Sequence, residues 1–334
     1  MPRPGQPAIN AATRCCAVYG FPIRHSASPA MHNAAFAALG VNSRYFAFEV
    51  EPVNLRAAIH GAKAMQFAGL NLTVPHKLPA LNMVDVLDES ARRWGAVNTV
   101  HFEGRTAEGD WRPLREFGVP PSGGKRKPVP VHDAGVPGEI RTVGFNTDAD
   151  AIVTALREEL KIKLPGAKIL LLGAGGAGRT AALKLASENV GELYLVNRTR
   201  SKAEVVAAEI AKQFPSVRVF TDYPRTAIDL VLNATSLGLK PDDVPPLDEQ
   251  CFCMSQTNAV YDMIYRPAET KLLAAARRAG RKTANGLSML LYQGAKAFEI
   301  WTGRPAPIPV MRRALQAAVQ SPESAVINRG RKIK

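Results

Sequence analysis

The sequence contains no long hydrophobic run. Its apolar stretches fall well short of the roughly 20 residues that a membrane-spanning helix needs, so we expect no membrane partner. Residues 1–12 carry no apolar segment of the kind found in secretory signal peptides. A cytoplasmic protein is therefore expected, and its 334 residues are enough for two domains that each bury a core.

Cysteine is scarce, with only four residues in the chain. Cys15 and Cys16 are adjacent, and Cys251 and Cys253 are separated by one residue. Adjacent cysteines rarely bridge each other, and neither pair has histidines at the spacing of a zinc site. We therefore expect reduced thiols, in agreement with a cytoplasmic location, and no bound metal.

Acidic residues are outnumbered, because 29 Asp and Glu face 43 Lys and Arg for a net charge of +14. One interpretation is a nucleic-acid partner. The basic residues are dispersed, however, and the two clusters at 125–127 and 329–334 have no interleaved aromatic residues. Attraction of an anionic substrate and an anionic cofactor explains the charge equally well, so we expect no nucleic-acid partner.

A glycine-rich turn lies between a predicted strand and a predicted helix. Lys168–Leu172 is a short apolar run typical of a buried parallel strand, and Gly173, Gly175 and Gly178 follow it as G-x-G-x-x-G. Glycine lets a backbone approach a pyrophosphate closely, and the helix N-terminus offers free N–H groups. This context predicts a dinucleotide site, although a turn without a ligand would share the six-residue pattern.

The turn after the next strand, Glu192–Val196, indicates which dinucleotide binds. An NAD site usually places an acid there for the ribose 2′-hydroxyl. This turn has no acid and instead carries Arg198, Arg200 and Lys202. Guanidinium groups suit a 2′-phosphate by charge and geometry, so NADP is favoured over NAD. The alternative is a solvated basic turn.

Two serines near the N-terminus indicate a carboxylate site. Ser26 and Ser28 precede a helix predicted from Pro29 onward, with Ser28 as its N-cap. Hydroxyl groups beside a helix N-terminus form a natural cradle for a carboxylate. Simple capping would need only Ser28 and leaves Ser26 unexplained.

A second polar group ends the third predicted strand, at 69–74. Strand alternation puts Asn71 and Thr73 on one face, and polar side chains at the end of an apolar strand are typical of a site. Lys77 follows the proline that ends this strand. It is either a solvated residue or, in a partly closed cleft, a group that exchanges protons.

The remaining pattern alternates strands with helices, which predicts an α/β fold. Residues 78–94 are predicted as one helix, and the proline- and glycine-rich residues 104–141 as a long exposed insertion. The loop at 233–238 follows a strand where a parallel sheet presents ligands. A long helix at Leu287–Thr302 carries Gln293 on its polar side.

Nine short motifs, in order across residues 14–303, resemble the shikimate dehydrogenase family. They are Ser26-x-Ser28-Pro29-x-x-His32-Asn33, Asn71-x-Thr73-Val74-Pro75-His76-Lys77, Gly95-Ala96-Val97-Asn98-Thr99, Asn146-Thr147-Asp148, Gly173-x-Gly175-Gly176-Ala177, Asn197-Arg198-Thr199, Asn233-Ala234-Thr235-Ser236, Asp262-Met263-x-Tyr265-x-Pro267 and Asn285-Gly286-Leu287-x-Met289-Leu290-x-x-Gln293. Both tails and residues 104–141 lie outside the resemblance, and residues 149–151 depart from the glycines common in the family.

The resemblance implies reversible, NADP-linked interconversion of 3-dehydroshikimate and shikimate, in the chorismate pathway to aromatic amino acids. It implies Lys77 and Asp148 as the catalytic pair. The implied substrate residues are Ser26 and Ser28 on the carboxylate, and Asn71, Thr73, Asn98, Gln293 and the nearby Tyr265 around the ring hydroxyls. The implied cofactor residues are Gly173, Ala174, Gly175, Gly176 and Ala177 at the pyrophosphate, Asn197, Arg198, Thr199, Arg200 and Lys202 at the 2′-phosphate, and Thr235, Met263 and Gly286 in the loops toward the nicotinamide.

The residue types agree with that chemistry. Hydride reduction of a ketone builds negative charge on its oxygen, so a positioned proton donor is needed. Lys77 can donate the proton, and the Asp148 carboxylate can bond both to the lysine and to the substrate hydroxyl. The sequence has no metal constellation, so the cofactor and this pair must do the chemistry.

We therefore expect two α/β domains in a monomer or homodimer. Residues 1–148, joined by the C-terminal helices and tail at 287–334, form the substrate-binding domain, and residues 149–286 form a Rossmann-type NADP-binding domain. One alternative is a quinate/shikimate dehydrogenase acting on another cyclohexane carboxylate, possibly NAD-linked. Ser28 and the basic 197–202 turn favour shikimate with NADP. A second alternative is a non-catalytic ligand sensor, against which the set Lys77, Asp148 and Gln293 argues.

Overall fold

The computed structural model describes residues 7–24, 26–106, 109–114 and 139–320. The chain divides into two units, one of Met1–Thr147 with Gly294–Lys334 and one of Asp148–Gln293. These divisions fall one residue and seven residues from the sequence-based limits after 148 and 286. Each unit has its own β-sheet with helices, which confirms the α/β class.

The first unit contains a mixed sheet. Its strands are β1 (Arg14–Gly20), β2 (Ser43–Glu49), β3 (Gly69–Leu72), β4 (Val86–Leu87), β5 (Thr99–Arg105), β6 (Trp111–Pro113) and β7 (Ile140–Phe145). The strand order is β2-β1-β3-β5-β7-β4, with β6 paired to β5. β1 runs parallel to β2 and β3, whereas β5 runs antiparallel to β3, β6 and β7. Helix α1 (Ser28–Ala38) follows β1, α2 (Leu55–Ala64) follows β2, and α3 (Glu89–Trp94) follows β4.

Apolar packing holds this sheet to its helices. Leu70 and Leu72 of β3 lie in one buried cluster with Leu55 and Ile59 of α2. Each fully buried leucine or isoleucine contributes about 1.5–3 kcal/mol relative to an exposed one. The two leucines of β3 anchor the centre of the sheet, and they are the immediate neighbours in sequence of the polar residues Asn71 and Thr73.

The second unit contains a fully parallel sheet in the strand order β10-β9-β8-β11-β12-β13. Its strands are β8 (Lys168–Leu172), β9 (Glu192–Val196), β10 (Arg218–Phe220), β11 (Ile228–Asn233), β12 (Thr257–Asp262) and β13 (Lys282–Asn285). Its helices are α4 (Asp148–Ala155), α5 (Gly176–Ser187), α6 (Arg200–Gln213) and α7 (Lys271–Arg278). This is the strand order of dinucleotide-binding doubly wound sheets, and it confirms the Rossmann-type fold.

Two helices complete the chain. α8 (Leu287–Thr302) contains the division between the units, and α9 (Ile308–Gln320) belongs to the first unit. Trp301 of α8 is buried in the first unit, where its Nε1 donates to the Val100 carbonyl at 3.1 Å. The indole needs Gly69 beside it, because a Cβ at that position would collide with the ring.

The predicted single helix over 78–94 is wrong. The chain forms a 3₁₀ turn (Pro79–Asn82), then β4, and only then α3. β4 pairs in parallel with β7, and the Asp85 carboxylate accepts from the N–H and hydroxyl of Thr142 at 2.7 and 2.9 Å. These long-range bonds outweigh the local helical pattern.

The predicted insertion at 104–141 is more ordered at its two ends than expected. β5 continues to Arg105, β6 pairs with it, and β7 already begins at Ile140. Trp111 of β6 stacks under the Arg141 guanidinium, 4.3 Å from the ring centroid. The rest of the insertion, at 107–108 and 115–138, lies outside the described residues, as do the basic clusters at 125–127 and 329–334.

Candidate active site

The two serines meet at the start of α1. The N–H of Ser28 donates to Ser26 Oγ at 3.3 Å. Ser28 was predicted as the N-cap, but the N-cap is Ala27, and no side chain caps the helix. The Ser26 hydroxyl accepts from an N–H two residues later, which is a local side-chain–backbone bond typical of serine. The N-cap position itself lies one residue earlier than predicted. Ser28 is buried and Ser26 is half-buried.

Asn71 is buried in a fully paired polar network. Its Oδ1 accepts from the Tyr45 hydroxyl at 2.6 Å, and its Nδ2 donates to the Asn98 carbonyl at 3.2 Å and to Thr99 Oγ1 at 3.0 Å. A buried amide without partners would cost several kcal/mol, so this pairing makes the position tolerable inside a sheet. β3 ends at Leu72, and the half-buried Thr73 lies just beyond it.

Asn98 and Thr147 hold each other. Asn98 Nδ2 donates to Thr147 Oγ1 at 2.9 Å, and the Thr147 N–H donates to Asn98 Oδ1 at 2.8 Å. Both residues are buried. This pair fixes the backbone immediately before Asp148. Thr147 belongs to one of the sequence motifs, but the sequence predicts no role for it.

The turn that carries Lys77 is tied to two strands. His76 shares a 2.9 Å hydrogen bond between Nε2 and the Val50 carbonyl, and the Val97 N–H donates to the Lys77 carbonyl at 2.9 Å. His76 is buried, and burial lowers the pKa of its imidazole. The half-buried Lys77 therefore stands on a backbone held from both sides.

The other predicted acid–base and substrate residues belong to the second unit. Asp148 is the first residue of α4 and is buried, at a helix N-terminus where negative charge is favoured. Tyr265 is half-buried in the loop after β12. Gln293, expected on a polar helix face, is instead buried, and its Nε2 donates to the Leu290 carbonyl at 2.8 Å.

The glycine turn has the backbone of a dinucleotide cradle. Gly173 has a φ of +105°, which L side chains rarely adopt. Gly178 lets α5 approach β8, because a Cβ there would collide with the Gly173 carbonyl oxygen. At Gly175, the N-cap of α5, a Cβ would stand in open space. The first and last glycines thus serve the fold, and the middle one leaves room for a ligand.

The basic side chains of the turn after β9 differ in their ion-pair partners. Arg200 is engaged by two acids, with Nε 3.0 Å from Glu204 Oε1 and Nη1 2.9 Å from Asp222 Oδ1. Across the described part of the chain, no ion pair forms to the exposed Arg198 or Lys202. Asn197 shapes the turn, since its Oδ1 accepts from the Ala174 N–H at 3.0 Å and its Nδ2 donates to the Thr199 carbonyl at 2.8 Å.

A buried carboxylate, for which the sequence predicts no role, organises the loops after β11 and β12. Asp262 accepts from Asn233 Nδ2 and the Ile264 N–H at 3.0 Å each, and from the Thr270 hydroxyl at 2.7 Å. Burial raises the pKa of Asp262, and these three donors oppose that shift.

The same group of hydrogen bonds fixes the positions of the residues that are predicted near the nicotinamide. Asn233 Oδ1 accepts from the hydroxyl of Thr235 at 2.8 Å, and the Met263 N–H donates to the Asn233 carbonyl at 2.9 Å. Gly286 packs so closely on Met263 that a Cβ would collide with the Met263 carbonyl oxygen. Thr235, Met263 and Gly286 are therefore held by one set of contacts.

Each unit brings together its own part of the predicted site. The first unit holds Ser26, Ser28, Asn71, Thr73, Lys77 and Asn98, and the second holds Asp148, Tyr265, Gln293 and all the predicted cofactor residues. Residues 7–24, 26–106, 109–114 and 139–320 contain no helix able to cross a membrane. In those same ranges, no cluster of three or more His, Cys, Asp or Glu side chains could hold a metal ion.

Comparison with known proteins identifies the family of the chain. Sequence models described as "Shikimate dehydrogenase substrate binding domain", "Shikimate / quinate 5-dehydrogenase" and "Shikimate 5'-dehydrogenase C-terminal domain" match residues 18–100, 155–238 and 286–316. The shikimate dehydrogenase (NADP(+)) of Moorella thermoacetica is 41% identical over 93% of this chain and 95% of its own. The chain belongs to the shikimate dehydrogenase family.

Solved structures of the shikimate dehydrogenase family share the fold. A shikimate dehydrogenase in complex with NADP+ superposes with a TM-score of 0.75, at 35% identity, over 96% of this chain and 100% of that one. The quinate dehydrogenase of Corynebacterium glutamicum in complex with NAD superposes with a TM-score of 0.71, at 26% identity, over 91% and 99%. The fold is therefore common to relatives that differ in substrate and cofactor.

Gly175→Ala separates cofactor binding from folding. The residue has a φ of −76° and open space for a Cβ, so stability should change by less than about 0.5 kcal/mol. The NADPH dissociation constant should rise about tenfold or more, because the methyl group would stand where a pyrophosphate meets the backbone. NADPH fluorescence titration and thermal unfolding measure the two effects.

Gly178→Ala is the matched control. Its Cβ would meet the Gly173 carbonyl oxygen, so that variant should lose stability. Unchanged NADPH affinity in Gly175→Ala would contradict a pyrophosphate at this turn.

Proposed function

We propose that this chain reduces 3-dehydroshikimate to shikimate with NADPH, reversibly, in the biosynthesis of chorismate and aromatic amino acids. The observation that carries the proposal is the buried network of Asn71, Asn98 and Thr147. It holds polar side chains in an apolar sheet, beside the turn of Lys77 and directly before Asp148 in the chain. Such a preorganised polar set is typical of a site that recognises a small polyhydroxylated molecule.

Ser26 and Ser28 bind the substrate carboxylate in this proposal. They stand at the N-terminus of α1, where the helix dipole favours an anion. Asn71, Thr73, Asn98, Tyr265 and Gln293 surround the ring hydroxyls. The excess of positive charge over the chain attracts the same anion from solution.

Lys77 and Asp148 form the catalytic pair. When bound, NADPH supplies the hydride that reduces the substrate carbonyl carbon. Lys77 delivers a proton to the carbonyl oxygen as negative charge builds there, and Asp148 orients the lysine and accepts from the substrate hydroxyl. In the reverse direction, the same pair takes the proton from the hydroxyl.

The residues of the second unit fit NADP. The open space at Gly175 suits a pyrophosphate. The turn after β9 contains no acid, and two of its basic side chains form no ion pair within the described residues, which suits a 2′-phosphate. We propose that Arg198 and Lys202 bind this phosphate, whereas the guanidinium of Arg200 is engaged by Glu204 and Asp222. Gly173 to Ala177, Asn197, Thr199, Thr235, Met263 and Gly286 complete the cofactor site.

A cytoplasmic monomer or homodimer is part of the same proposal. The cytoplasmic location is supported by four cysteines that are all free thiols, as in proteins of a reducing compartment.

The second candidate is a dehydrogenase of quinate, with NAD. It is favoured by the likeness to the quinate dehydrogenase of Corynebacterium glutamicum. The small side chain of Ser28 and the basic turn after β9 favour the first candidate.

Initial rates at 340 nm with shikimate or quinate, each with NADP+ or NAD+, decide between the candidates. We expect strong activity only with shikimate and NADP+. Activity with quinate or NAD+ would retain the mechanism and reassign the specificity. Absence of activity in all four combinations, with NADPH binding intact, would favour a ligand sensor and refute the proposed enzyme.

Arg198→Ala should weaken NADP+ selectively. Losing a charge-assisted bond to a phosphate costs about 1.5–3 kcal/mol, so kcat/KM for NADP+ should fall about 10- to 150-fold. The value for NAD+, which has no 2′-phosphate, should stay within about twofold. Arg200→Ala is the matched control and should spare the ratio, since acids already engage that guanidinium. An equal loss in both variants would contradict the assignment.

Lys77→Ala should abolish most turnover without unfolding the protein. We expect kcat to fall by roughly 10²–10⁴, the usual contribution of general acid–base catalysis, with NADPH affinity unchanged. Steady-state rates and NADPH titration test this, with Lys212→Ala on the exposed end of α6 as the control. Near-normal turnover in Lys77→Ala would remove this lysine from the mechanism.

A further inference from the structure

Tyr45 stands behind Asn71 and is almost fully buried, at 1% exposure. It lies on β2, and its hydroxyl is 2.6 Å from Asn71 Oδ1. The sequence predicts no role for Tyr45. Its contacts show which hydrogen-bonding groups Asn71 can offer to a ligand.

The orientation of the Asn71 amide follows from its neighbours. The carbonyl oxygen of Asn98 can only accept, so the atom that faces it must be Nδ2. The second hydrogen on Nδ2 points to Thr99 Oγ1. Both donors of the amide are therefore used within the protein, and Oδ1 must face Tyr45.

Because Oδ1 is an acceptor, the Tyr45 hydroxyl must donate to it. An amide oxygen accepts two hydrogen bonds, and Tyr45 supplies one of them. Asn71 can then offer a ligand only acceptor capacity, which suits a hydroxyl group and not a ketone oxygen.

Helix α1 clamps Tyr45 in this position. Asn33 holds its backbone on both sides, since Asn33 Nδ2 donates to the Tyr45 carbonyl and the Tyr45 N–H donates to Asn33 Oδ1, each at 2.9 Å. His32 stacks on the phenol ring, with centroids 4.3 Å apart and planes 11° from parallel. The His32-Asn33 motif noted in the sequence thus acts on Tyr45.

His32 contributes packing and no charge. It is fully buried, neither ring nitrogen has a hydrogen-bond partner in the described residues, and burial lowers its pKa to about 3. The imidazole is therefore neutral at physiological pH and serves as a flat surface for the phenol.

We propose that Tyr45 is a positioning residue for substrate recognition, whose donated hydrogen bond holds Asn71 as an acceptor for a ring hydroxyl of the substrate. The proposal rests on the proposed function, in which Asn71 contacts the substrate. It gives α1 two tasks, since the helix that begins at the carboxylate-binding serines also fixes the hydroxyl-binding amide through His32 and Asn33.

A double-mutant cycle on Tyr45→Phe and Asn71→Ala tests it. Phenylalanine keeps the ring that packs on His32 and removes only the donor. Loss of one hydrogen bond should lower kcat/KM for shikimate about 5- to 30-fold, chiefly through KM. KM for NADP+ and NADPH affinity should stay within about twofold. In the Asn71→Ala background, Tyr45→Phe should have no further effect, because its partner is absent.

Tyr194→Phe is the matched control, since it deletes a 2.6 Å bond from a buried tyrosine hydroxyl to Glu192 in the second unit. An equal change in shikimate KM for both tyrosine variants, or additive effects in the double mutant, would overturn the proposal. An Asn71→Ala enzyme with normal shikimate KM would overturn it too, by removing Asn71 from the site. The activity of the wild-type enzyme with shikimate or quinate and NADP+ or NAD+ is a separate measurement and reports only on the proposed function.

Discussion

The candidate active site depends on one constraint, which is that each polar atom of an amide side chain buried in an apolar sheet must find a hydrogen-bond partner inside the protein. Asn71 meets this constraint through its hydrogen bonds with Tyr45 and Thr99. Asn98 meets it through its hydrogen bond with Thr147. Satisfied networks of this kind rigidify a core, whereas a half-satisfied one would cost more than an apolar replacement. The geometry offered to a ligand is therefore set before the ligand arrives.

The same logic organises the second unit around a carboxylate. The buried Asp262 carboxylate accepts from a side-chain amide, a backbone N–H and a hydroxyl. Those donors come from β11, the loop after β12 and the start of α7, so one side chain ties the loops of Thr235 and Met263 together. Around it, glycines at 173, 178 and 286 allow backbones to meet at distances that a Cβ would prevent.

Local patterns were informative where a residue's neighbours in sequence are also its neighbours in space. The continuous apolar run at Lys168–Leu172 and the glycine spacing after it identified β8 and α5, and the acid-free turn indicated the preference for a 2′-phosphate. Prediction failed where distant strands compete with local propensity. Residues 78–94 look helical in isolation, but pairing of β4 with β7 and the bonds of Asp85 to Thr142 break the helix.

The candidate site, too, was predictable from the sequence only in part. Residue type and order sufficed to nominate Lys77, Asp148 and the serines, because chemistry restricts which side chains can hold a carboxylate or move a proton. The partners of those residues were invisible, since Tyr45 and Asn71 are 26 positions apart and Asn98 and Thr147 are 49 apart. Arg198 and Arg200 look equivalent in sequence, yet Asp222 engages only the second.

The sequence by itself determined the α/β class and the glycine-rich turn of the Rossmann-type unit, and it nominated the reactive groups, because these follow from short-range periodicity and side-chain chemistry. Only the tertiary structure decided which polar atoms are already used and which remain for a ligand. That distinction depends on the partners of each buried donor and acceptor, and sheet pairing brings those partners from distant parts of the chain.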